Sequence, residues 1–195
     1  AGGLVTGKYW IAVQASKIIP SAGGTGLAEQ TYAGVGTAAA GITSRNVRCV
    51  GAPTTYSANQ QQTTSGACYG GKTGDVADGF VGTLLSLANA EHIAELNIDA
   101  SQIAQLTDLN FGFSFNVVTN TNDTGQGSLR QFVNNANTVT GANAMRFVPA
   151  VVTNASGSGQ TWWRTTVNTV LPTITGVNAT NTTVDGTAYS NTDGI

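Results

Sequence analysis

The chain has 195 residues, enough for one large or two small domains, and 41% of them are hydrophobic, so a core can form. Only 9% are charged, against about 25% in an ordinary globular protein, and the net charge is −2. With 8 Lys plus Arg against 10 Asp plus Glu, the chain lacks the basic footprint that nucleic-acid binding requires, and no window of 18 apolar residues offers a membrane-spanning helix.

Polarity comes instead from Thr, Asn, Ser, Gln and 25 Gly. Thr favours strands, and Asn and Gly favour turns, a mixture common in exported β-proteins. The 3 Trp, 5 Tyr and 6 Phe, with many Val, Ile and Leu, argue against disorder of the whole chain.

Gly7 to Val13 alternates, with Tyr9, Ile11 and Val13 on one face and Trp10 and Ala12 on the other, which predicts a strand. Residues 20–79 are rich in Gly, Ala, Thr, Ser and Gln and predict long loops with short strands. Cys49 and Cys68 enclose a loop of about 20 residues there, and a bond between them would stabilise by about 3 kcal/mol. The exported composition favours that disulfide over two reduced, buried thiols. Two cysteines and the distant His92 do not form a metal-ligand set.

Phe80 to Ala88 is expected to form a short helical turn. Glu91 to Ala100 reads as a strand, with Ala94, Leu96 and Ile98 inward, although a helix competes. Leu109, Phe111, Phe113, Phe115 and Val117 then alternate with small or polar residues and predict a half-buried strand. A polar turn follows over 119–127. Ser128 and Gln131 have capping-box spacing, and Leu129, Phe132, Val133 and Ala136 form one apolar stripe, so a short helix is predicted to end near Asn137. A helix that short is marginal alone and must dock its stripe on something. A second strand over Met145–Pro149 comes next. Beyond a Gly/Ser linker at 154–160, short β-runs are predicted over Trp162–Thr175 and Asn181–Tyr189.

Candidate chemistry is sparse. Asn120, Asn122 and Thr124 place oxygens at alternate positions with Gly125 sixth, which echoes the first half of a calcium loop. The twelfth position is Gln131 rather than Glu, so weak Ca2+ binding stands beside the simpler reading of an Asx-rich turn. Trp162 and Trp163 either stack on sugar rings or flank a packed strand. No nucleophile pattern surrounds Ser86, Ser101 or Ser114. Asp75, Asp78, Asp99, Asp108, Asp185 and Asp193 read as turn residues, so no catalytic residue and no cofactor is expected. Asn122, Asn154, Asn178 and Asn181 each open an N-x-S/T triplet.

The segment VVTNTNDTGQGSLRQFVNNAN, followed by MRFVP and LPTIT…TTVDGT, resembles the opening of a right-handed parallel β-helix in large bacterial surface proteins. GLVTGKYWIAV and LNFGFSF resemble strands of the B-type repeats of adhesins, which are prealbumin-like sandwich modules. The resemblance implies a mainly β (all-β) fold with one short capping helix. A prealbumin/Ig-like β-sandwich portion over residues 1–115 would join the start of a β-solenoid over 116–195. It further implies a secreted or cell-surface protein used for adhesion, biofilm matrix or filament building, with no enzymatic role. Both ends read as cut from something longer, and a sandwich lacking strands would accept one from a neighbouring copy, giving a homopolymer. The alternatives are a carbohydrate-binding module or a polysaccharide-cleaving β-helix enzyme, the first with a glycan or host-surface ligand.

Overall fold

The computed structural model describes residues 5–33, 47–50, 80–81, 83–84, 93–98, 111–175 and 180–188. Within them the protein is mainly β, with small sheets and one α-helix. The loops expected across 34–46 and 51–79, the Cys49–Cys68 pairing and His92 lie outside the described residues, although the backbone of Cys49 falls in a strand.

The alternating run near the start forms β1 (Gly7–Ala12). A 3-10 turn over Ala15–Lys17 follows, then β2 (Glu29–Ala33), β3 (Val47–Val50), and the two-residue strands β4 (Phe80–Val81) and β5 (Thr83–Leu84). The helical turn expected after Phe80 is therefore replaced by an antiparallel pair, Phe80 opposite Leu84 and Val81 opposite Thr83. Val81 and Thr83 are β-branched and Gly82 lies between them, a combination that disfavours helix. β6 (Ile93–Ile98) is the strand that alternation predicts. It lies between β1 and β3, antiparallel to both, with Gly7 opposite Ile98 and Val47 opposite Leu96.

The predicted strand from Leu109 to Val117 is broken in two. β7 (Phe111–Ser114) pairs antiparallel with β2, with a register shift between Gln30 and Tyr32. The chain then bends, Asn116 N donating to Ser114 Oγ, before β8 (Val117–Val118). Alternation alone gives no sign of this bend, because it interrupts the backbone without disturbing the side-chain pattern.

From β8 onward the pairing becomes parallel. α1 (Leu129–Thr138) crosses over to β9 (Asn143–Ala144) and β10 (Arg146–Phe147). Val117 faces Arg146 and Val118 faces Phe147, and Val148 N and Ala150 N extend the contact to the carbonyls of Val118 and Thr119. A parallel pair needs such a crossover, because its strands cannot be joined by a tight turn. β11 (Ala155–Gly157) and β12 (Gln160–Trp162) form a hairpin, and β13 (Thr182–Thr183) pairs parallel with β9. Phe147 also forms a parallel bridge with Ala188, so β10 lies between β8 and a third level. Of the strands predicted over Trp162–Thr175, only the Trp162 end forms; 163–175 runs outside any strand, and its part from 169 to 175 is held by side chains of the helix.

Because successive residues of a strand face opposite ways, β8 builds two clusters. Val118 joins Phe132, Val133, Ala136 and Met145, with Leu129, Phe147 and Ile174 packed against them. Val117 joins Val148 and Ala150 on the other face. The helix stripe supplies the first cluster, and full burial of Phe132 alone stabilises by about 1.5–3 kcal/mol.

Residues 23–28 are laid along the end of α1. Gly24 bridges Val139, Thr25 N donates to Thr138 O, and Thr140 N donates to Gly23 O. Gly24 has φ +91, and a Cβ there would meet Thr138 O at 1.9 Å. Gly24→Ala is therefore expected to lower unfolding free energy by about 2 kcal/mol or more, whereas Gly186→Ala, in open space, should change it by less than about 0.5. Urea denaturation of the two variants followed by far-UV circular dichroism checks the difference; equal midpoints would mean that this junction does not form.

Candidate functional site

The side chains with the most partners cluster around α1 and the turn before it. Ser128 is the N-cap: its backbone is extended and its Oγ accepts from Gln131 N at 3.2 Å. Its own hydroxyl donates to Gly125 O at 2.6 Å. Gln131 does not reach back as a capping box requires. Its Nε2 instead donates forward to Asn135 Oδ1 at 2.9 Å.

Asn135 is 3% exposed, and its amide is fully used. Oδ1 accepts from Leu27 N at 3.0 Å and from Gln131; Nδ2 donates to Leu27 O and to Phe115 O, both at 2.8 Å. One amide thus closes a two-way bond with Leu27 and secures the end of the β7–β8 bend. Nearby, Gln126, wholly buried, donates Nε2 to Ala28 O at 3.1 Å.

The opposite flank of the helix holds residues 169–175. Arg130 Nη2 donates to Asp123 Oδ1 at 2.8 Å and to Thr169 O at 2.6 Å, while Nη1 donates to Val170 O and Nε to Asp123 O. Both ion-pair partners are 13% exposed, so the pair is partly shielded from solvent. Asn137 Nδ2 donates to Thr173 O, and Asn137 Oδ1 accepts from Thr175 N. Those are the bonds a neighbouring strand would make.

The loop with calcium-like spacing is tied to itself. Asn120 is buried; Nδ2 donates to Gln126 O at 2.8 Å and Oδ1 accepts from Asn122 N at 3.0 Å, an Asx turn. Asn122 and Thr124 are exposed, and Asp123 faces Arg130. Among the described residues no group of three His, Cys, Asp or Glu is placed to hold a metal ion.

The two tryptophans are separated in role. Trp163 is half-buried, packs edge-on against Phe147 at 6.0 Å between ring centroids, and donates Nε1 to Val151 O. Trp162 is 44% exposed and its ring covers Gly157 across the hairpin. They do not present a paired platform; Trp162 alone offers a face to solvent. A groove of about 340 Å3 opens beside Ser114, Asn116, Arg146, Thr183 and Asp185, where β7, β10 and β13 meet.

Sequence patterning misses Asn135, Asn137 and Arg130 as organisers. A signal exists, however: Asn134, Asn135 and Asn137 stand inside a ten-residue helix, where Asn is a poor helix former and gains nothing locally.

No family model matches the chain, and no solved structure matches it.

Removing the Asn135 amide leaves three backbone groups of Leu27 and Phe115 without partners in a part-buried site. Asn135→Leu is expected to destabilise by about 3–5 kcal/mol, and Asn135→Asp, which sets a carboxylate oxygen against the Leu27 and Phe115 carbonyls, by at least about as much. Ser128→Ala, which loses both the cap bond from Gln131 N and the bond to Gly125 O, should cost about 1–2 kcal/mol. Equilibrium unfolding of the three variants ranks them; a Ser128→Ala cost at or above that of Asn135→Leu would mean that the cap, and not the buried amide, dominates this region.

Proposed function

We propose that this chain is an extracellular structural or adhesive module of a bacterial surface protein and contributes to a filament or matrix polymer. The observation carrying this reading is the helix-capped parallel stack. β8, β10 and Ala188 stand at successive levels, β9 and β13 form a second parallel pair, and α1 covers the apolar face of β8. These parallel pairs support reading α1 as the lid, and the paired strands as the first coils, of the solenoid that the resemblance implies. On the same reading the antiparallel sheet of β1, β6 and β3 would belong to the sandwich portion.

The composition supports the same reading. A surface made from Thr, Asn, Ser and Gln, with 9% charge, lets copies approach without electrostatic repulsion. Among the described residues β1 and β3 each pair on one side only, with β6, and an edge strand is a template for addition of a strand from another copy. Assembly by strand complementation uses such edges, and no transmembrane-capable helix occurs among the described residues.

Purified chain is expected to form concentration-dependent polymers, visible by negative-stain electron microscopy and as high-mass species in sizing with light scattering. A monodisperse monomer up to millimolar concentration would overturn the polymer reading.

The exposed face of Trp162 favours a second reading, a carbohydrate-binding module. A glycan-array signal abolished by Trp162→Ala, with unfolding midpoint unchanged, would establish it over the first.

A further inference from the structure

The four N-x-S/T triplets are not equivalent once the chain is folded. An N-linked transfer requires a carboxamide nitrogen free to leave its surroundings, and a hydroxyl two residues on that the transferase can grip.

Asn122-Asp123-Thr124 meets both requirements. Asn122 is exposed, and among the described residues only its backbone N–H is engaged, with Asn120 Oδ1. Thr124 is exposed as well, and its hydroxyl makes no bond among the described residues. The negative charge of Asp123, which would repel a diphosphate-linked donor, is matched by Arg130 at 2.8 Å. The triplet lies on a bend held from both ends by Asn120 and Arg130, so it is presented rather than buried.

The other described triplets fail. Asn154 Nδ2 donates to Thr121 Oγ1 and Arg164 O, both at 3.0 Å, and its Oδ1 accepts from Arg164 N at 2.6 Å. Drawing this side chain into a transferase breaks three bonds at the base of the β11–β12 hairpin, and the sugar then replaces one of its two donor hydrogens. In Asn181-Thr182-Thr183 the backbone itself is a rung: Asn181 O accepts from Asn143 N, Thr183 O accepts from Met145 N, and Thr182 and Thr183 form β13. Seating this triplet in a transferase unzips β13 from β9. Asn178 lies outside the described residues.

We propose that Asn122 is a glycosylation site of the folded protein, taking a sugar from a diphosphate-activated donor through a transferase on the export route. The inference rests on the reading of the chain as an exported protein. In the step, Asn122 Nδ2 attacks the anomeric carbon; the new C–N bond forms as the bond from that carbon to the diphosphate oxygen breaks. The diphosphate leaves with the electron pair, and the amide proton passes to a carboxylate of the transferase. The sugar then projects from the turn between β8 and α1, away from both apolar clusters.

The test has two arms. In the first, purified folded chain is incubated with an N-glycosyltransferase and a nucleotide-diphosphate sugar, then mapped by peptide mass spectrometry. Asn122 is expected to take the sugar ahead of Asn154 and Asn181, with transfer to it abolished in Asn122→Gln and Thr124→Ala and unchanged in Asn154→Gln. Asn122→Gln removes no side-chain hydrogen bond among the described residues, so an unchanged unfolding midpoint separates loss of acceptor from loss of structure. Transfer to Asn154 or Asn181 at the rate of Asn122 overturns the proposal. In the second arm, chain released from the producing cell by surface proteolysis is mapped the same way. A sugar on Asn122 supports the proposal; surface-released chain bare at Asn122 overturns it while leaving export standing; and absence of the chain from the surface overturns both.

Discussion

The fold around the helix depends on one buried amide. Asn135 joins the segment before β2, 108 residues away, to the bend between β7 and β8 and to the first turn of its own helix. It can do so because a carboxamide offers two donors and a two-lone-pair acceptor in one plane. All four positions are filled, so burial incurs no unsatisfied group, the condition under which a buried polar residue specifies a structure rather than weakening it. Gly26 shows how tight the junction is: a Cβ there would come within 2.9 Å of Asn135 Oδ1 and 2.8 Å of the Phe115 ring.

With that amide in place, α1 becomes a hub rather than a simple lid. Its apolar stripe meets Val118 and Met145, so it fixes the distance between β8 and the strands after the crossover. Its polar flanks then hold chain on both sides, Asn135 toward residue 27 and Arg130 and Asn137 toward residues 169–175. Ile174 adds an apolar contact on that second flank. A helix of ten residues would not persist alone. Here its stability is tertiary, and so is that of the short strands, several only two residues long, which acquire order from what is pinned beside them.

What was legible in the sequence follows from which interactions are periodic. The helix, its N-cap and its stripe are local, and 3.6-residue spacing with a Ser before it suffices to place them; α1 begins at Leu129 and ends at Thr138, one residue past the expected end. β1 and β6 are legible for the same reason at a period of two. The bend at Phe115–Asn116 is not, since it leaves alternation intact while changing the partner strand from β2 to β10. The path of 163–175 is not legible either. Its Thr and Val residues carry β-propensity, but its backbone partners are side chains of Asn137, Arg130 and Asn154 and the Thr121 carbonyl instead of a strand, and no propensity scale encodes that choice. The reach of Asn135 to Leu27 spans 108 residues and carries no period at all. The candidate tryptophans were legible as residues but not as roles, because packing against Phe147 half-buries Trp163 and leaves Trp162 as the exposed member of the pair.

The unusual composition then has a structural cause. Strands this short pair too few of their own backbone groups, and every remaining buried N–H and C=O must find another partner. Asn is suited to that task, because its side chain repeats the peptide group and can stand in for a missing strand. Asn137 does so between Thr173 and Thr175, and Asn154 does so at Arg164, where it accepts from the N–H and donates to the carbonyl. Asn120 closes its own turn in the same manner. A carboxylate could accept but not donate, and a lysine could donate but not accept, so neither can replace a peptide group. Among the described residues around α1, the scarcity of charge and the use of Asn are therefore one property: short ladders completed by amides whose bonds do not depend on ionisation and are not screened by salt as ion pairs are.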